Sequence, residues 1–272
     1  MVKKVLDQMQ REVLIPSSPK RIISLVPSQT ELLFYLGLDE EVVGITKFCV
    51  HPRAQFKSKT RVGGTKKYNF EKINDLKPDL IIGNKEENDQ TQIEELAKNY
   101  TVWMSDILTL ADALEMIESI GKIVAKESKA EMLIENILVN FHRLQQNNSS
   151  QSRKPTVAYF IWKNPMMVAA GQTFINEMLN LAGFKNTFEH LNRYPEITKE
   201  ELVKASPDVI FLSSEPFPFK EKHIQEIQTI CPNSVVKLVD GELFSWYGNR
   251  LLLAVPYFEK LFLESISNTT TY

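Results

Sequence analysis

Two residues with metal-ligand chemistry stand two positions apart in the segment ITKFCVHP, residues 45–52: Cys49 and His51. In an extended chain this spacing puts both side chains on one face, and thiolate and imidazole are both common metal ligands. The segment therefore allows three interpretations: part of a metal site, the rim of a pocket for another ligand, or no functional role. A metal site would need further ligands. The remaining histidines are His142, His190 and His223.

The sequence lacks the motifs of the common enzyme classes. It contains no Gly-x-Ser-x-Gly nucleophile elbow, no HExxH zinc motif and no Cys-x-x-Cys. Gly63 and Gly64 are not followed by Lys-Ser or Lys-Thr, so they predict a turn and not a phosphate-binding loop. We therefore expect a protein that is not an enzyme, with no catalytic residue and no catalytic cofactor.

The composition is that of an ordinary globular protein, with 272 residues, 43% apolar, 24% charged and a formal net charge of −2. This balance does not indicate nucleic-acid binding. The two cysteines are too few and too far apart for a disulfide framework. The N-terminal sequence lacks the apolar stretch of a signal peptide, and no apolar run is long enough to predict a membrane span. We expect either a cytosolic protein or a chain whose leader is missing.

Residues 21–36, RIISLVPSQTELLFYL, show the pattern of a strand, a turn at Pro27 and a helix. Ser28 and Glu31 have the spacing of a capping box, and Gly37 predicts the end of the helix. The segment ITKFCVHP then follows as a strand that runs out into a loop.

An internal repeat is the most informative feature of the chain. FEKINDLKPDLIIGN (70–84) and KEELVKASPDVIFLS (199–213) share a glutamate, a proline seven residues later, an aspartate and an apolar run. Each copy predicts a short helix that stops before Pro-Asp, followed by a buried strand. The aspartates are best explained as structural residues at the start of a strand. The repeat indicates two similar lobes.

Between the two copies, residues 109–146 contain no proline and little glycine and carry apolar residues at intervals of three and four, which predicts a helix in one or two pieces. The polar stretch QQNNSSQSRKP then marks a boundary. We predict an α/β protein with two lobes joined by a helix. The predicted parts are an N-terminal lobe (1–107), a backbone helix with linker (108–150) and a C-terminal lobe (151–272).

Four segments, RIISLVPSQTELLFYLGL, VGGTKKYNFEKINDLKPDLIIG, KNPMMVAAGQTFINEMLNLAGFKN and ITKEELVKASPDVIFL, resemble in order and spacing the substrate-binding proteins of ABC importers for cobalamin, haem and ferric siderophores. The resemblance implies two Rossmann-like lobes, a long rigid backbone helix and a ligand cleft between the lobes. It also implies a monomer of the periplasm or cell envelope that delivers a small-molecule metal chelate to an ABC permease and its ATPase.

Among that family the chain resembles the cobalamin-binding proteins, and the resemblance transfers their cleft contacts to four positions: Phe48, Tyr194, Glu242 and Trp246. Two tryptophans of those proteins fall on Thr65 and Lys85, and an arginine falls on Trp246. A ferric siderophore, a corrinoid or a haem would all suit such a site.

Lysines and aromatic residues complete the predicted ligand site. Lys66, Lys67 and Lys85 follow elements of the first lobe, where the cleft should open, and would suit an anionic ligand. Across the cleft, flat aromatic faces with polar tips would suit a macrocycle or a catecholate ring. These aromatic residues are Trp162, Tyr194, Trp246 and Tyr247.

The resemblance also assigns one permease-docking glutamate to each lobe, Glu71 and Glu200, which are the glutamates of the repeat. Two exposed carboxylates on short helices would suit arginine pockets. The alternative is that both only complement their helix dipoles.

Two other functions remain open at this point. The first is a cytosolic carrier or sensor of a corrinoid or metal complex. The second is a direct zinc or manganese receptor, since related receptors take histidines and carboxylates from both lobes; the ligand sets would be His51, His190 and Glu242, or Cys49, His51 and His190. We favour a buried Cys49 and a His51 that lines or rims the pocket.

Overall fold

The computed structural model describes residues 2–148 and 153–269, which divide into two compact units. The first unit takes in the chain as far as Ile107, together with Ala111–Asn136 and Tyr247–Arg250. The second takes in Leu108–Leu110, Ile137–Trp246 and the chain from Leu251. Each unit is an α/β structure, as the repeat predicted.

A hairpin and a parallel sheet form the first unit. Its strands are β1 (Val2–Leu6), β2 (Glu12–Pro16), β3 (Ile22–Ser24), β4 (Val42–Ile45), β5 (Thr60–Arg61), β6 (Leu80–Asn84) and β7 (Val102–Ser105). Its helices are α1 (Pro27–Leu36), α2 (Arg53–Ser58), α3 (Phe70–Leu76), α4 (Gln90–Ala97) and α5 (Leu110–Ile123), of which Leu110 clusters with the second unit. Strands β1 and β2 pair antiparallel, whereas the sheet order β5-β4-β3-β6-β7 is parallel throughout. All five carboxyl ends therefore lie along one edge.

Helix α6 (Glu127–Asn148) follows, and its residues divide between the two units at Asn136 and Ile137. The second unit holds strands β8 (Thr156–Trp162), β9 (Met167–Ala169), β10 (Lys185–Asn186), β11 (Val209–Ser213) and β12 (Val235–Val239). Its helices are α7 (Phe174–Leu181), α8 (Lys199–Ala205), α9 (Glu221–Ile230), α10 (Glu242–Ser245) and α11 (Leu251–Thr269). The order β10-β8-β11-β12 is parallel, and β9 pairs antiparallel with β8.

The central strands of both sheets are apolar runs because helices cover both of their faces. Every residue of β6 and of β11 is buried. Trp103 on β7 is fully buried and belongs to the core.

Helix α1 begins differently from the prediction. Its N-cap is Val26 and Pro27 is its first residue, so the predicted capping box of Ser28 and Glu31 is wrong. Proline suits this position because it has no N–H to satisfy there. Ser28 is buried in the first turn, and Glu31 pairs with a distant arginine. The predicted end is confirmed, since Gly37 caps the helix at φ 92°.

The predicted long helix forms in two pieces, α5 and α6. Ala125 adopts a left-handed conformation (φ 56°), and the Lys126 N–H donates to the Gly121 carbonyl where α5 ends. A Cβ on Gly121 would lie 2.5 Å from the Ala130 Cβ, so only glycine lets the two helices approach this closely. Within residues 2–148 and 153–269, no helix has the length and hydropathy needed to cross a membrane.

The two copies of the repeat have the same local structure. Asn69 accepts a hydrogen bond from the Lys72 N–H at the start of α3, and Thr198 accepts one from the Glu201 N–H at the start of α8. Both seven-residue helices end in a left-handed residue, Lys77 (φ 45°) or Ser206 (φ 44°).

The aspartates of the repeat join each central strand to its neighbour. Asp79 accepts hydrogen bonds from the N–H groups of Lys20 and Arg21, which lead into β3. Asp208 accepts from the N–H and the hydroxyl of Thr156, the first residue of β8. Their predicted structural role is confirmed.

Candidate functional site

The loops beyond the carboxyl ends of the parallel strands are the candidate site in each unit, because ligands of open α/β sheets bind at this edge. In the first unit these loops follow β4 (46–52), β5 (62–69), β6 (85–89) and β7 (106–109). They carry Phe48, His51, Lys66 and Lys85. These four predicted site residues therefore lie at the carboxyl edge of the sheet.

Phe48 presents an aromatic face, with 49% of the residue exposed. The Lys47 ammonium lies 4.9 Å from its ring centroid. A Cβ on Gly64 would lie 3.3 Å from the Phe48 ring atom Cε2, so the ring packs over a glycine backbone. The loops after β4 and β5 therefore meet at Phe48.

Cys49 follows Phe48 in the loop after β4 and is fully buried, so its side chain does not reach solvent. Its Sγ lies 3.1 Å from the hydroxyl oxygens of both Thr30 and Thr46. Burial raises the pKa of the thiol to about 11, so the metal-binding thiolate is disfavoured. His51 is half-buried.

No group of three or more His, Cys, Asp or Glu side chains is arranged to hold a metal ion in residues 2–148 and 153–269. The geometry therefore gives no support to the ligand sets built on Cys49, His51, His190 and Glu242.

The predicted lysines are engaged by neighbouring groups. The Lys85 ammonium pairs with Asp106 at 2.5 Å, which offsets its charge. The Lys66 ammonium donates to the Glu86 carbonyl at 2.7 Å. Lys67, on the same turn, is exposed. The positive charge that Lys85 offers to an anionic ligand is therefore smaller than the sequence suggested.

Side chains from the β6–α4 region stiffen the loop that carries these lysines. Gln92 accepts from the Tyr68 N–H at 2.8 Å and donates to the Lys66 carbonyl at 2.5 Å. Asn88 and the Tyr68 hydroxyl both donate to the Thr65 carbonyl, at 3.1 and 2.8 Å. These hydrogen bonds join the loop after β5 to the loop after β6 and to α4.

Tyr247 belongs to the short segment Tyr247–Arg250, which clusters with the first unit, and it is only 5% exposed. Arg250 fixes this segment to α1 through two hydrogen bonds to Glu31, at 2.8 and 2.9 Å. Both side chains of the ion pair are nearly buried. The structure thus places Tyr247 inside the packing of the first unit.

An aromatic pair stands at the carboxyl edge of the second unit. Trp162 ends β8 and is 39% exposed, and Phe217 lies in the loop after the adjacent strand β11. Their ring centroids are 5.6 Å apart in an edge-to-face arrangement. The sequence predicted Trp162 but missed Phe217, although the alternation EPFPF directly after a strand was a usable signal.

Trp246 is held by a carboxylate that the sequence did not reveal. Its Nε1 donates to Glu215 Oε1 at 3.0 Å, and the Ser245 hydroxyl donates to the same oxygen at 2.6 Å. Trp246 itself is only 6% exposed. Burial, with Glu242 and Asp240 nearby, raises the pKa of Glu215.

Glu242 and Tyr194 are both half-buried, at different places in the second unit. Glu242 begins α10, directly after β12. Tyr194 lies on a segment hydrogen-bonded along β9, where the Ala170 N–H donates to the Arg193 carbonyl at 2.8 Å. His190 is exposed on the same segment.

Glu71 and Glu200 occupy equivalent positions. Each is the second residue of its seven-residue helix, and each is exposed. The two units thus present the same carboxylate at the same point of a repeated structure.

Comparison with known proteins identifies the family. Residues 22–230 match the family described as periplasmic binding protein. The chain belongs to this family. It is also 30% identical, over 262 residues, to an ABC transporter substrate-binding lipoprotein of Bacillus subtilis, YvrC; the alignment covers 92% of this chain and 82% of that protein.

Two vitamin B12-binding proteins are also similar to this chain. The vitamin B12-binding protein of Photorhabdus laumondii is 27% identical over 199 residues, which is 72% of each chain. The crystal structure of the periplasmic vitamin B12 binding protein BtuF of Vibrio cholerae superposes with a TM-score of 0.79 at 23% identity, covering 94% of this chain and all of that one. The fold is thus that of the periplasmic binding proteins.

Proposed function

We propose that this protein is the solute receptor of an ABC importer, and that it binds a metal chelate such as a corrinoid, a ferric siderophore or a haem. The observation that carries the proposal is an exposed aromatic face beyond a strand's carboxyl end in each unit, Phe48 in the first and Trp162 in the second. Such faces provide the apolar contact that a macrocycle or aromatic chelator needs. The similarity to an ABC transporter substrate-binding lipoprotein of Bacillus subtilis supports this class of transporter, and the similarity to the vitamin B12-binding protein of Photorhabdus laumondii supports this class of ligand.

Binding without turnover is the proposed mechanism. The loop around Lys66 is already fixed by Gln92 and Asn88, and Phe48 already rests on Gly64. A ligand would therefore meet preformed contact groups, which lowers the entropy cost of binding. Phe48→Ala and Trp162→Ala should each weaken the binding of the chelate by about tenfold or more. Isothermal titration would measure this, and unchanged affinity in both variants would contradict the proposed contacts.

Delivery to a permease is the second part of the proposal, and Glu71 and Glu200 are its candidate docking residues. Each is exposed on the first turn of a capped helix, so its carboxylate is available to arginine partners. In vesicles carrying the permease and its ATPase, Glu71→Arg with Glu200→Arg should abolish uptake and leave chelate affinity unchanged. The neighbouring exposed pair Lys72→Ala and Lys199→Ala serves as the matched control. Normal uptake by the double arginine variant would exclude this docking role.

A further inference from the structure

The loop between β11 and α9 carries a group of aromatic side chains behind the exposed Trp162. The Phe217 ring contacts the Trp162 ring. The Phe217 backbone N–H donates a hydrogen bond to the Ile161 carbonyl at 3.3 Å, which fixes the backbone of the loop at this point. Phe219 lies behind Phe217, with ring centroids 4.8 Å apart at 68°. The position of Phe217 therefore depends on the residues that pack beneath it.

His223 lies at the base of this group. It is only 4% exposed, and its ring centroid lies 5.6 Å from that of Phe217 and 5.5 Å from that of Phe219. A buried imidazole here acts as a packing surface for both phenylalanines.

The same imidazole ties the end of the loop to α9. His223 Nδ1 accepts a hydrogen bond from the Lys220 N–H at 2.9 Å, at the start of the helix. Only an unprotonated Nδ1 can accept, so this contact requires the neutral ring with its proton on Nε2. Protonation at Nδ1 would replace the acceptor by a second donor facing an N–H group.

The charged groups around His223 also favour the neutral ring. Lys163, Lys220 and Lys222 disfavour the imidazolium, while Glu226 opposes them and is itself paired with Lys163 at 2.5 Å. Burial is the largest influence, and together these effects hold the pKa of His223 below its ordinary value.

We propose that Phe217 contacts the ligand beside Trp162, and that neutral His223 is the positioning residue that holds Phe217 in place. The contact of Phe217 with the ligand rests on the proposed function, whereas the positioning role of His223 concerns the protein alone. Acidification that protonates His223 removes the acceptor of the Lys220 N–H, loosens residues 214–220 and weakens binding. The weaker binding should be seen with chelates that have a flat, apolar part, because that part would contact Phe217.

The positioning half is tested without any ligand, by ¹⁹F NMR of protein labelled with 5-fluorotryptophan. The chain has three tryptophans, so the Trp162 resonance is assigned with Trp162→Phe. In the wild type this resonance should shift as the pH falls below 6.5. In His223→Asn it should not shift, because the asparagine Oδ1 can take the place of Nδ1 as acceptor without titrating. The buried Trp103 provides the internal control. An identical shift in wild type and His223→Asn would overturn the positioning role.

The contact half is tested by titrating cyanocobalamin, haemin and ferric desferrioxamine B. Phe217→Ala should lose about tenfold or more in affinity for the chelate that binds, whereas Phe219→Leu, behind it, should lose much less. His223→Asn should lose the acid-induced weakening of the wild type, and its affinity at pH 7.5 should fall below that of the wild type because asparagine lacks the ring on which Phe217 packs. Unchanged affinity in Phe217→Ala would overturn the contact. If the wild type binds none of the three, the contact and the proposed function fail together for these chelates, and the NMR result still decides the role of His223.

Discussion

The carboxyl edges of the two sheets differ more than the sheets themselves do. In the first unit the loops are held by amide and lysine hydrogen bonds, and the nearly buried Glu31 is neutralised by Arg250. In the second unit rings pack on rings, and Glu215 is held by two neutral donors, Ser245 and Trp246. In both units the repeat forms a capped seven-residue helix followed by a buried parallel strand. The two units therefore share this local backbone structure but differ in the side-chain contacts at their carboxyl edges.

Arg250→Ala should have the largest effect of the changes that probe this comparison. It would leave the Glu31 carboxylate nearly buried without its bidentate partner, and breaking such a pair costs about 3–5 kcal/mol. Urea unfolding followed at Trp103 would measure the loss in the first unit. Arg250→Lys, which keeps the charge but not the two-pronged geometry, should lose less. A loss below about 1 kcal/mol in Arg250→Ala would mean that the ion pair behaves like an exposed one.

The two aspartates of the repeat should differ in how much they contribute to the free energy of unfolding. Asp208 accepts two hydrogen bonds from Thr156 and is also contacted by Arg153, whereas Asp79 accepts two from more exposed backbone N–H groups. We expect Asp208→Ala to cost on the order of 3 kcal/mol and Asp79→Ala about half of that. Hydrogen exchange at the ends of β8 and β3 would report each unit separately. Equal losses of stability in the two variants would show that the two aspartates contribute equally, in contrast to the difference expected from their contacts.

Glu215→Gln should stabilise the protein at neutral pH, whereas the substitutions of Arg250, Asp208 and Asp79 should destabilise it. The pKa of Glu215 is raised above 4.5 in the folded protein, so its stabilising contribution is complete below pH 4.5 and is lost as the pH rises through the folded-state pKa. Glutamine keeps an acceptor for Trp246 and Ser245 and removes the charge. The thermal midpoint should therefore rise at pH 8, and the gain should vanish at pH 4. Lower stability at pH 8 would show that the two hydrogen bonds need the charged carboxylate.

His223 should make the smallest contribution to stability. This contribution should be lost as the pH falls, whereas that of Glu215 is lost as the pH rises. Because its folded-state pKa lies below 6.5, its contribution is complete above pH 6.5 and is lost as the pH falls through the folded-state pKa. His223→Asn should remove this part of the pH dependence. Thermal melts of both proteins between pH 7.5 and 5 would measure it, and parallel curves would exclude His223 as the titrating group.

The sequence could predict the features that depend on neighbours along the chain. The repeat and the end of α1 at Gly37 follow from spacing and glycine, and the structure confirms both. The sequence left open whether residues 109–146 form one helix or two, and the structure has two, α5 and α6. It could not show that Glu31 pairs with Arg250, 219 residues away, and the short-range capping box expected for Glu31 was therefore wrong.

The same limit applies to the candidate site. Phe48 and Lys85 follow strands in sequence and Trp162 ends one, so the structure has all three at the carboxyl edges. The partners that change their chemistry come from other loops: Asp106 beside Lys85, Phe217 beside Trp162 and Glu215 beside Trp246. Such pairings depend on strand order, which the spacing of residues does not encode.

A fluorescence titration tests most directly whether this chain is a receptor for a metal chelate. Purified protein would be titrated with cyanocobalamin, haemin, ferric desferrioxamine B, free zinc and free manganese, with emission from Trp162 isolated by comparison with Trp162→Phe. A receptor for a metal chelate should show saturable quenching of Trp162 by one chelate, weakened in Phe48→Ala, and no response to either free metal. Saturable binding of free zinc or manganese that is lost in His51→Ala, with no response to any chelate, would contradict this function.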